Sequence, residues 1–180
     1  HDATAPTMTI TSTTVSSGAT TNDATIALVF TSSETTANLV SGDITLSAGS
    51  ISSSFAGSGS SYSATFTPSG DATFTISIAA GKFTDAAGNS NTVSNSFTWT
   101  YDSTALTMTI ASSTSGVTSG ATTNDATIAL TFTSSEATTS LTDDDVTVSG
   151  GTLSSFAGSG TDYTATFAPG SDATYTISIA

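Results

Sequence analysis

The fold is decided by the stretch ATFTISIA at residues 72–79, which returns as ATYTISIA at residues 173–180. In both copies a large apolar side chain alternates with Ser or Thr. This period of two residues indicates a β-strand with one buried face and one face in water. Thr suits the outward positions because its branched Cβ favours extended backbone while its hydroxyl stays solvated.

The composition alone allows a different interpretation. Ser and Thr make up 75 of the 180 residues, and such a chain can be a solvated stalk without a core. The same alternation, however, recurs at residues 24–30 and 62–66. Helical spacing of long-chain residues is missing, since the chain has one Lys, two Glu, and neither Arg nor Gln. The sequence therefore predicts a folded all-β protein.

The alternating stretch belongs to a repeat of about 100 residues, with an offset that runs from 100 to 102 and settles at 101. This period predicts tandem β domains, because solenoid units are only about 20–50 residues long. We expect repeat 1 to cover residues 1–101 and repeat 2 to cover residues 102–180. The other matching pairs are 7–10 with 107–110, 21–28 with 123–130, and 54–59 with 155–160.

Each repeat is expected to form an immunoglobulin-like (Ig-like) β-sandwich, because about seven short strands in about 100 residues is typical of that fold. Packing alone must hold the two sheets together, since the chain has no Cys. Residues 57–59, Gly-Ser-Gly, are predicted to form a hairpin turn. The predicted strands of repeat 1 are 6–12, 23–31, 43–48, 50–56, 61–67, 72–79 and 93–101. The predicted core contains Phe30, Phe55, Phe66, Phe74 and Phe97 together with Ile26, Leu28, Ile44, Leu46, Ile76 and Ile78.

Repeat 2 matches repeat 1 only as far as Ala79, so the second sandwich is predicted to lack its last strand. A sandwich without that strand has an unpaired edge and an open core. Two explanations remain open. The sequence is a window from a longer array of repeats, or a neighbouring chain supplies the missing strand by strand addition.

The formal net charge of −13, with a single Lys or Arg, excludes several classes of protein. Binding nucleic acid requires a basic surface, which Lys82 alone cannot supply. No apolar run reaches the roughly 18 residues of a membrane-spanning helix. The only His is His1 and there is no Cys, so nucleophilic catalysis has no supported base. We expect a protein that is not an enzyme, binds no nucleic acid and inserts no part of this segment into a membrane.

Acidic and amide side chains are expected to converge at one end of repeat 1. In an Ig-like topology the chain start, the loop after the second strand and the loop before the last strand meet there. Oxygen ligands without nitrogen or sulfur suit Ca²⁺. The alternative is that the acidic and amide side chains of residues 85–89 only cap turns. The candidate ligands are Asp2, Glu34, Asp43, Asp85 and Asn89.

The corresponding end of repeat 2 carries a similar set of acids but lacks the loop before the last strand. A calcium site there is expected at the junction with repeat 1, where the ion would stiffen the linker. The alternative is that residues 143–145 are a solvated loop. The candidates are Asp102, Glu136, Asp143, Asp144 and Asp145.

The single Trp allows two roles. Trp99 alternates with Phe97, so it faces the core, or it faces outward as an assembly contact in a filament. Met8 and Met108 are further candidates for an outward apolar contact.

Several motifs resemble the tandem bacterial-type Ig-like repeats of large extracellular surface proteins. The resemblance covers repeat 1 and all of repeat 2 that is present. One departure is Leu106, where repeat 1 has the family's usual linker proline as Pro6. The motifs are residues 41–45, 55–59, 62–68, 79–91 and 101–105.

The resemblance implies an extracellular structural module, a stalk, spacer or filament subunit at a cell surface. The partners it implies are neighbouring repeats of the same long chain, or other copies in a filament. The alternative is a calcium-dependent adhesin arm that binds a ligand or another cell. Near absence of Lys and Arg removes trypsin-type cleavage sites, and the negative charge keeps neighbouring chains soluble.

Overall fold

The computed structural model describes residues 1–52 and 54–179. The chain divides into two compact units, His1–Thr104 and Ala105–Ala180, which carry repeat 1 and repeat 2. Strands dominate both units, and the only helical segments described are two short 3₁₀ turns at Ser41–Asp43 and Asp143–Asp145. None of the described helical segments has the length and apolar character needed to cross a bilayer. The prediction of an all-β protein is confirmed.

Repeat 1 is a sandwich of two four-stranded sheets, in the orders β1-β3-β6-β5 and β2-β8-β7-β4. Neighbouring strands pair antiparallel except β2 and β8, which are parallel. This architecture confirms the predicted Ig-like class. The strands are β1 (Met8–Ser12), β2 (Thr20–Thr21), β3 (Ile26–Thr36), β4 (Ile44–Leu46), β5 (Ser50–Ile51), β6 (Ala56–Thr67), β7 (Ala72–Ile78) and β8 (Phe97–Tyr101).

The chain enters and leaves repeat 1 at opposite ends of the sandwich. β1 starts opposite Ser32, near the C-terminal end of β3. β8 ends opposite Ala72, directly after the β6–β7 turn. That turn lies at the N-terminal end of β3, because Ile26 pairs with Phe66. The 11 residues of β3 therefore span the distance between entry and exit, about 35 Å at roughly 3.3 Å per residue.

The core of repeat 1 contains every residue predicted for it, with Phe55 and Leu46 only partly buried at its margin. The alternation of the strands explains this, since each second side chain points between the sheets. Sequence reasoning missed Phe83, which lies in the loop before β8 and is 1% exposed. A loop residue has no strand period to reveal it.

The proposed role of Trp99 as an assembly contact is wrong for the folded repeat. Its side chain is fully buried, and its ring lies 4.8 Å from that of Phe66 and 5.6 Å from that of Phe74. The alternation with Phe97 puts both side chains in the core. Met8 is also buried, whereas its counterpart Met108 is half-buried.

The predicted hairpin turn at residues 57–59 lies inside the bounds of β6. Gly57 and Gly59 have φ angles of +138° and +67°. A Cβ on Gly57 would collide with the backbone of Ser61 and Tyr62, so the chain folds back on itself here and only Gly fits. The strands predicted for 43–48 and 93–101 are shorter than expected, and β2 was not predicted.

Repeat 2 contains β9 (Met108–Ser112), β10 (Ile128–Thr138), β11 (Val146–Val148), β12 (Thr152–Ala168) and β13 (Ile177–Ile179). Its sheets have the orders β12-β10-β9 and β11-β13. Each repeat 2 strand has a counterpart in repeat 1, but no described strand matches β2 or β8. Among the residues described, the β11-β13 sheet therefore has two strands where the corresponding sheet of repeat 1 has four.

Candidate metal centre

Three carboxylates meet where the chain enters repeat 1. Asp2 precedes β1, Glu34 lies near the end of β3, and Asp85 lies in the loop between β7 and β8. One oxygen from each carboxylate lies within 4.8 Å of the others. The structure thus brings together three of the five residues that the topology predicted to converge.

The loop at Asp85 is closed by its own side chains. The backbone N–H of Asn89 donates to one Asp85 carboxylate oxygen, and the Asn89 side-chain Nδ2 donates to the other, each at 2.8 Å. The backbone N–H of Asp85 donates back to the Asn89 carbonyl at 3.1 Å. Gly88 has a φ of +91°, which a side chain would disfavour. The turn-capping role considered for Asp85 and Asn89 is therefore present alongside the carboxylate cluster.

Asn89 also connects the loop to the chain start. Its Nδ2 lies 3.4 Å from the Asp2 carbonyl oxygen, which accepts the contact. The Asp2 carboxylate accepts a hydrogen bond from the Thr4 N–H at 3.0 Å. These contacts fix the direction in which the Asp2 side chain approaches the other two acids.

Asn91, which sequence reasoning missed, holds the same loop from inside. It is 3% exposed. Its Oδ1 accepts from the N–H groups of Lys82 and Phe83 at 2.7 and 3.0 Å, and its Nδ2 donates to the carbonyls of Ala79 and Thr92 at 2.9 and 2.7 Å. The side chain satisfies four backbone groups that no strand ladder reaches. The available signal was the residue type, because an Asn side chain can both donate and accept hydrogen bonds to the backbone of a loop.

The electrostatics of the cluster are unbalanced. Desolvation, followed by the charges of Asp2 and Asp85, raises the pKa of Glu34 above its usual value. The hydrogen bond from the Asn89 side chain, with further backbone N–H donors, lowers the pKa of Asp85 although burial opposes this. Asp85 is 3% exposed and stays ionised. Its negative charge is one of the causes that raise the pKa of Glu34.

Asp43 does not belong to the cluster. Its carboxylate accepts a hydrogen bond from the Val40 N–H at 3.0 Å and so caps the 3₁₀ turn before β4. Asp145 does the same in repeat 2, where its carboxylate accepts from the Thr142 N–H at 2.8 Å. Asp143 and Asp144 lie in that exposed turn. The short loop makes capping the dominant role because the acid follows its partner by three residues.

In the sequence, Asp102 and Glu136 of repeat 2 match Asp2 and Glu34 of repeat 1. Asp102 accepts from the Thr104 N–H at 3.1 Å, as Asp2 does from Thr4. Glu136 is half-buried near the end of β10, at the position of Glu34 in β3. The described part of the chain contains no carboxylate matching Asp85, and only the repeat 1 acids form a group of three.

The geometry of the repeat 1 cluster is compatible with one hard cation. Ca²⁺–oxygen distances of about 2.3–2.6 Å allow two ligand oxygens of one ion to lie up to about 5 Å apart. Three carboxylates within this range would supply part of the six to eight oxygens that Ca²⁺ takes, with backbone carbonyls and water as the remainder. A cation would also relieve the repulsion at Glu34.

The opposite end of repeat 1 holds the chain where it leaves. The Asp71 carboxylate accepts hydrogen bonds from the Ser103 N–H and hydroxyl at 2.8 and 2.7 Å, and from the Thr104 hydroxyl at 2.8 Å. These bonds, led by the Ser103 hydroxyl, lower the pKa of Asp71. The Asp102 N–H donates to the Thr21 carbonyl at 3.1 Å. The exit segment is thus fixed to the sandwich by an ionised acid.

Comparison with known proteins gives one family. The model of the bacterial Ig-like domain matches residues 2–101 and again residues 102–180. No curated protein and no solved structure matches the chain. Domains of this family are usually found on surface proteins and are typically not enzymes. The chain therefore belongs to the bacterial Ig-like domain family, with one domain in each repeat.

Proposed function

We propose that the chain is a spacer of a surface protein, in which each Ig-like repeat adds a fixed length between functional parts. The observation that carries the proposal is the position of the chain ends in repeat 1. The chain enters beside the C-terminal end of β3 and leaves beside its N-terminal end. A module with termini at opposite ends extends an array with every copy.

Two further features support the spacer. Asp71 binds Ser103 and Thr104, which limits the rotation of the chain as it leaves the sandwich. The net charge of −13 makes copies repel one another, so the array stays extended and soluble. The near absence of Lys and Arg and the negative net charge suit an extracellular position. The spacer role does not require that position.

The proposal predicts that length grows in proportion to copy number. Arrays of two, three and four copies of residues 1–104 should lengthen by about 35 Å per copy, the span of β3. Small-angle scattering or electron microscopy of the arrays would measure the increment. Maximum dimensions that level off with copy number would contradict the spacer.

We further propose that Ca²⁺ binds Asp2, Glu34 and Asp85 and stiffens the entry end. The support is the 4.8 Å grouping of their oxygens, together with the desolvation and the neighbouring Asp2 and Asp85 charges that raise the pKa of Glu34. At a Ca²⁺ concentration about 100-fold above Kd, binding to the folded state alone should stabilise it by about 2.7 kcal/mol.

Calorimetry of the whole chain with Ca²⁺ and with chelator tests the site. We expect a higher melting temperature of repeat 1 with Ca²⁺, and loss of that difference in Asp85→Asn. Glu136→Gln is the matched control, because it removes an acid at the same strand position outside the three-carboxylate group. A Ca²⁺ response that survives Asp85→Asn, or no response at all, would refute the site and leave the spacer intact.

A further inference from the structure

The segment that joins the two repeats is bound at its start to repeat 1. The Asp102 N–H donates to the Thr21 carbonyl at 3.1 Å, and the Asp71 carboxylate accepts from Ser103 and Thr104. The Asp102 carboxylate also accepts from the Thr104 N–H at 3.1 Å, which closes a local turn. These three consecutive residues therefore move with repeat 1 and do not act as a free linker.

Ser103 strengthens this attachment to repeat 1. It donates to Asp71 through both its N–H and its hydroxyl, at 2.8 and 2.7 Å. Its counterpart at the start of repeat 1 is Ala3, which has no hydroxyl to donate. The junction between the repeats thus has a hydrogen bond that the sequence of the first entry segment does not encode.

Repeat 2 begins to hold the chain at Thr107. The Thr107 N–H donates to the Ser135 hydroxyl at 3.0 Å, and the Ser135 N–H donates to the Thr107 carbonyl at 2.9 Å. The same two bonds join Thr7 and Ser33 in repeat 1, at 2.9 and 3.0 Å. Both backbone groups of this position are therefore fixed to the sandwich that follows.

Two residues, Ala105 and Leu106, lie between the two attachments. None of the hydrogen bonds described for the chain involves either of them, and the boundary between the two compact units falls directly before Ala105. In repeat 1 the Thr92 N–H also holds the carbonyl of Pro6. Even with a bond of that kind, both torsions of Ala105 and the φ of Leu106 lie outside the attachments.

The exchange of Pro6 for Leu106 acts on these same torsions. A proline fixes its own φ at about −65° and disfavours the helical region for the residue before it. It would therefore restrict both residues between the attachments, whereas leucine leaves them free. Pro6 and Leu106 precede the same sequence, Thr-Met-Thr-Ile, so the strand that follows accepts either residue.

We propose that bending between the repeats is confined to a hinge of two residues, Ala105 and Leu106, and that Leu106 permits bending where a proline would not. The hydrogen bonds from Ser103 and Thr104 to Asp71 keep the hinge this short. The inference rests on the proposed spacer function, because the hinge determines how far an array bends and not how much length each copy adds.

Nitrogen-15 relaxation of the 180-residue chain locates the hinge. We expect backbone order parameters of about 0.85, typical of rigid backbone, at residues 102–104. Lower values should be confined to Ala105 and Leu106. Low order parameters spread evenly over residues 102–107 would contradict a hinge of two residues.

Spin labels on the two sandwiches measure how widely the chain bends. The chain has no Cys, so Ser63→Cys and Thr164→Cys place one label at an exposed position of β6 and one at an exposed position of β12. Leu106→Pro should narrow the distribution of label distances. Leu106→Ala is the matched control, because it shortens the side chain without fixing φ, and it should leave the distribution as broad as before. Equal widths for the two variants would overturn the role of Leu106.

Asp71→Ala should have the opposite effect to Leu106→Pro. It releases the bonds to Ser103 and Thr104, so the distance distribution should broaden and the low order parameters should extend to Ser103. Asp172→Ala is the control, since it makes the same change in charge at the matching turn of repeat 2. That turn lies at the end of β10 opposite to the start of β9.

An unchanged distribution in Asp71→Ala, or equal broadening in Asp71→Ala and Asp172→Ala, would overturn the proposal that the bonds to Asp71 limit the hinge. Neither result would alter the length that each copy adds to an array. Failure of the hinge and failure of the spacer are therefore distinguishable.

Discussion

Repeat 1 and repeat 2 share the aromatic packing on the strand pairs β3–β6 and β10–β12, but differ in how deeply the Ile side chains of the other strands are buried. In repeat 1, Phe55 stacks on Tyr62 with ring centroids 5.6 Å apart. In repeat 2, Phe156 stacks on Tyr163 at the same 5.6 Å. Phe30 and its counterpart Phe132 have no exposed surface. The pairing of β3 with β6, and of β10 with β12, is enough to build this half of the core.

The burial of three Ile side chains depends on the segment that precedes and forms β8. Ile26, Ile76 and Ile78 are fully buried in repeat 1, whereas Ile128, Ile177 and Ile179 are only half-buried. The residue types are the same, so the difference in burial comes from the neighbours alone. The comparison teaches that residues 80–101 close the sandwich rather than create it.

Removal of the Trp99 ring should have the largest effect on this comparison. Trp99→Ala is expected to lower the free energy of unfolding of repeat 1 by about 3–5 kcal/mol, because it removes a buried indole and leaves a cavity. The amides of β7 should then exchange faster and approach the exchange rates of β13. Native-state hydrogen exchange measures both repeats in one chain.

Thr98→Ala is the control for Trp99→Ala, since among the described residues its hydroxyl makes one hydrogen bond, to the Thr75 hydroxyl at 3.3 Å on the outer face. It should change the stability of repeat 1 by less than about 1 kcal/mol. If Trp99→Ala were equally mild, β8 would contribute little to closing repeat 1.

Asn91→Ala should have the next largest effect. It leaves several buried backbone groups of residues 79–92 without partners, so we expect repeat 1 to lose about 2–3 kcal/mol. Faster exchange of the Lys82 and Phe83 amides would report the loss directly. Asn95→Ala is a matched control, because Asn95 bonds to both backbone groups of Ile10 but is exposed, and water can replace it. Similar losses from both variants would contradict a special role for the buried amide.

The fold was predictable because its signal is periodic. The alternation at residues 72–79 specifies which face of β7 is buried, and the repeat shows that the same rule operates twice. Phe83 and Asn91 were missed because they stabilise a loop, where burial follows from tertiary contacts and not from a period. Phe97 and Trp99 share one face of β8, and that face is buried. The alternation therefore predicted the core role of Trp99 correctly, and the assembly role was wrong.

The sequence predicted at which end of repeat 1 the candidate metal centre lies, but not the exact set of residues that forms it. The topology placed Asp2, Glu34 and Asp85 at one end, and the structure brings their oxygens together. Asp43 belonged to the same predicted set but caps its own turn. A local hydrogen bond over three residues competes with a long-range cluster, and sequence alone does not decide between them.

The smallest expected effect concerns the pH dependence of the two repeats. Burial and the neighbouring acids raise the pKa of Glu34 in the folded state above 4.5, so the folded state binds this proton more tightly than the unfolded state. The resulting stabilisation is fully present below pH 4.5 and is lost as the pH rises through the folded pKa. The lowered pKa of Asp85 acts in the opposite sense, because its contribution is present above pH 3.8 and is lost as the pH falls below it.

Glu34→Gln should therefore raise the melting temperature of repeat 1 slightly at pH 7 in chelator and flatten its pH profile above pH 4.5. The acid limb below pH 3.8 should remain, since it depends on Asp85 and Asp71, whose pKa values are both lowered by hydrogen bonds. Glu136→Gln should leave repeat 2 nearly unchanged, because the described residues place no group of three carboxylates there. Calorimetry from pH 3 to pH 8 separates these effects. Equal responses of the two repeats would mean that Asp85, the third carboxylate of the repeat 1 group, has no influence on the charge of Glu34.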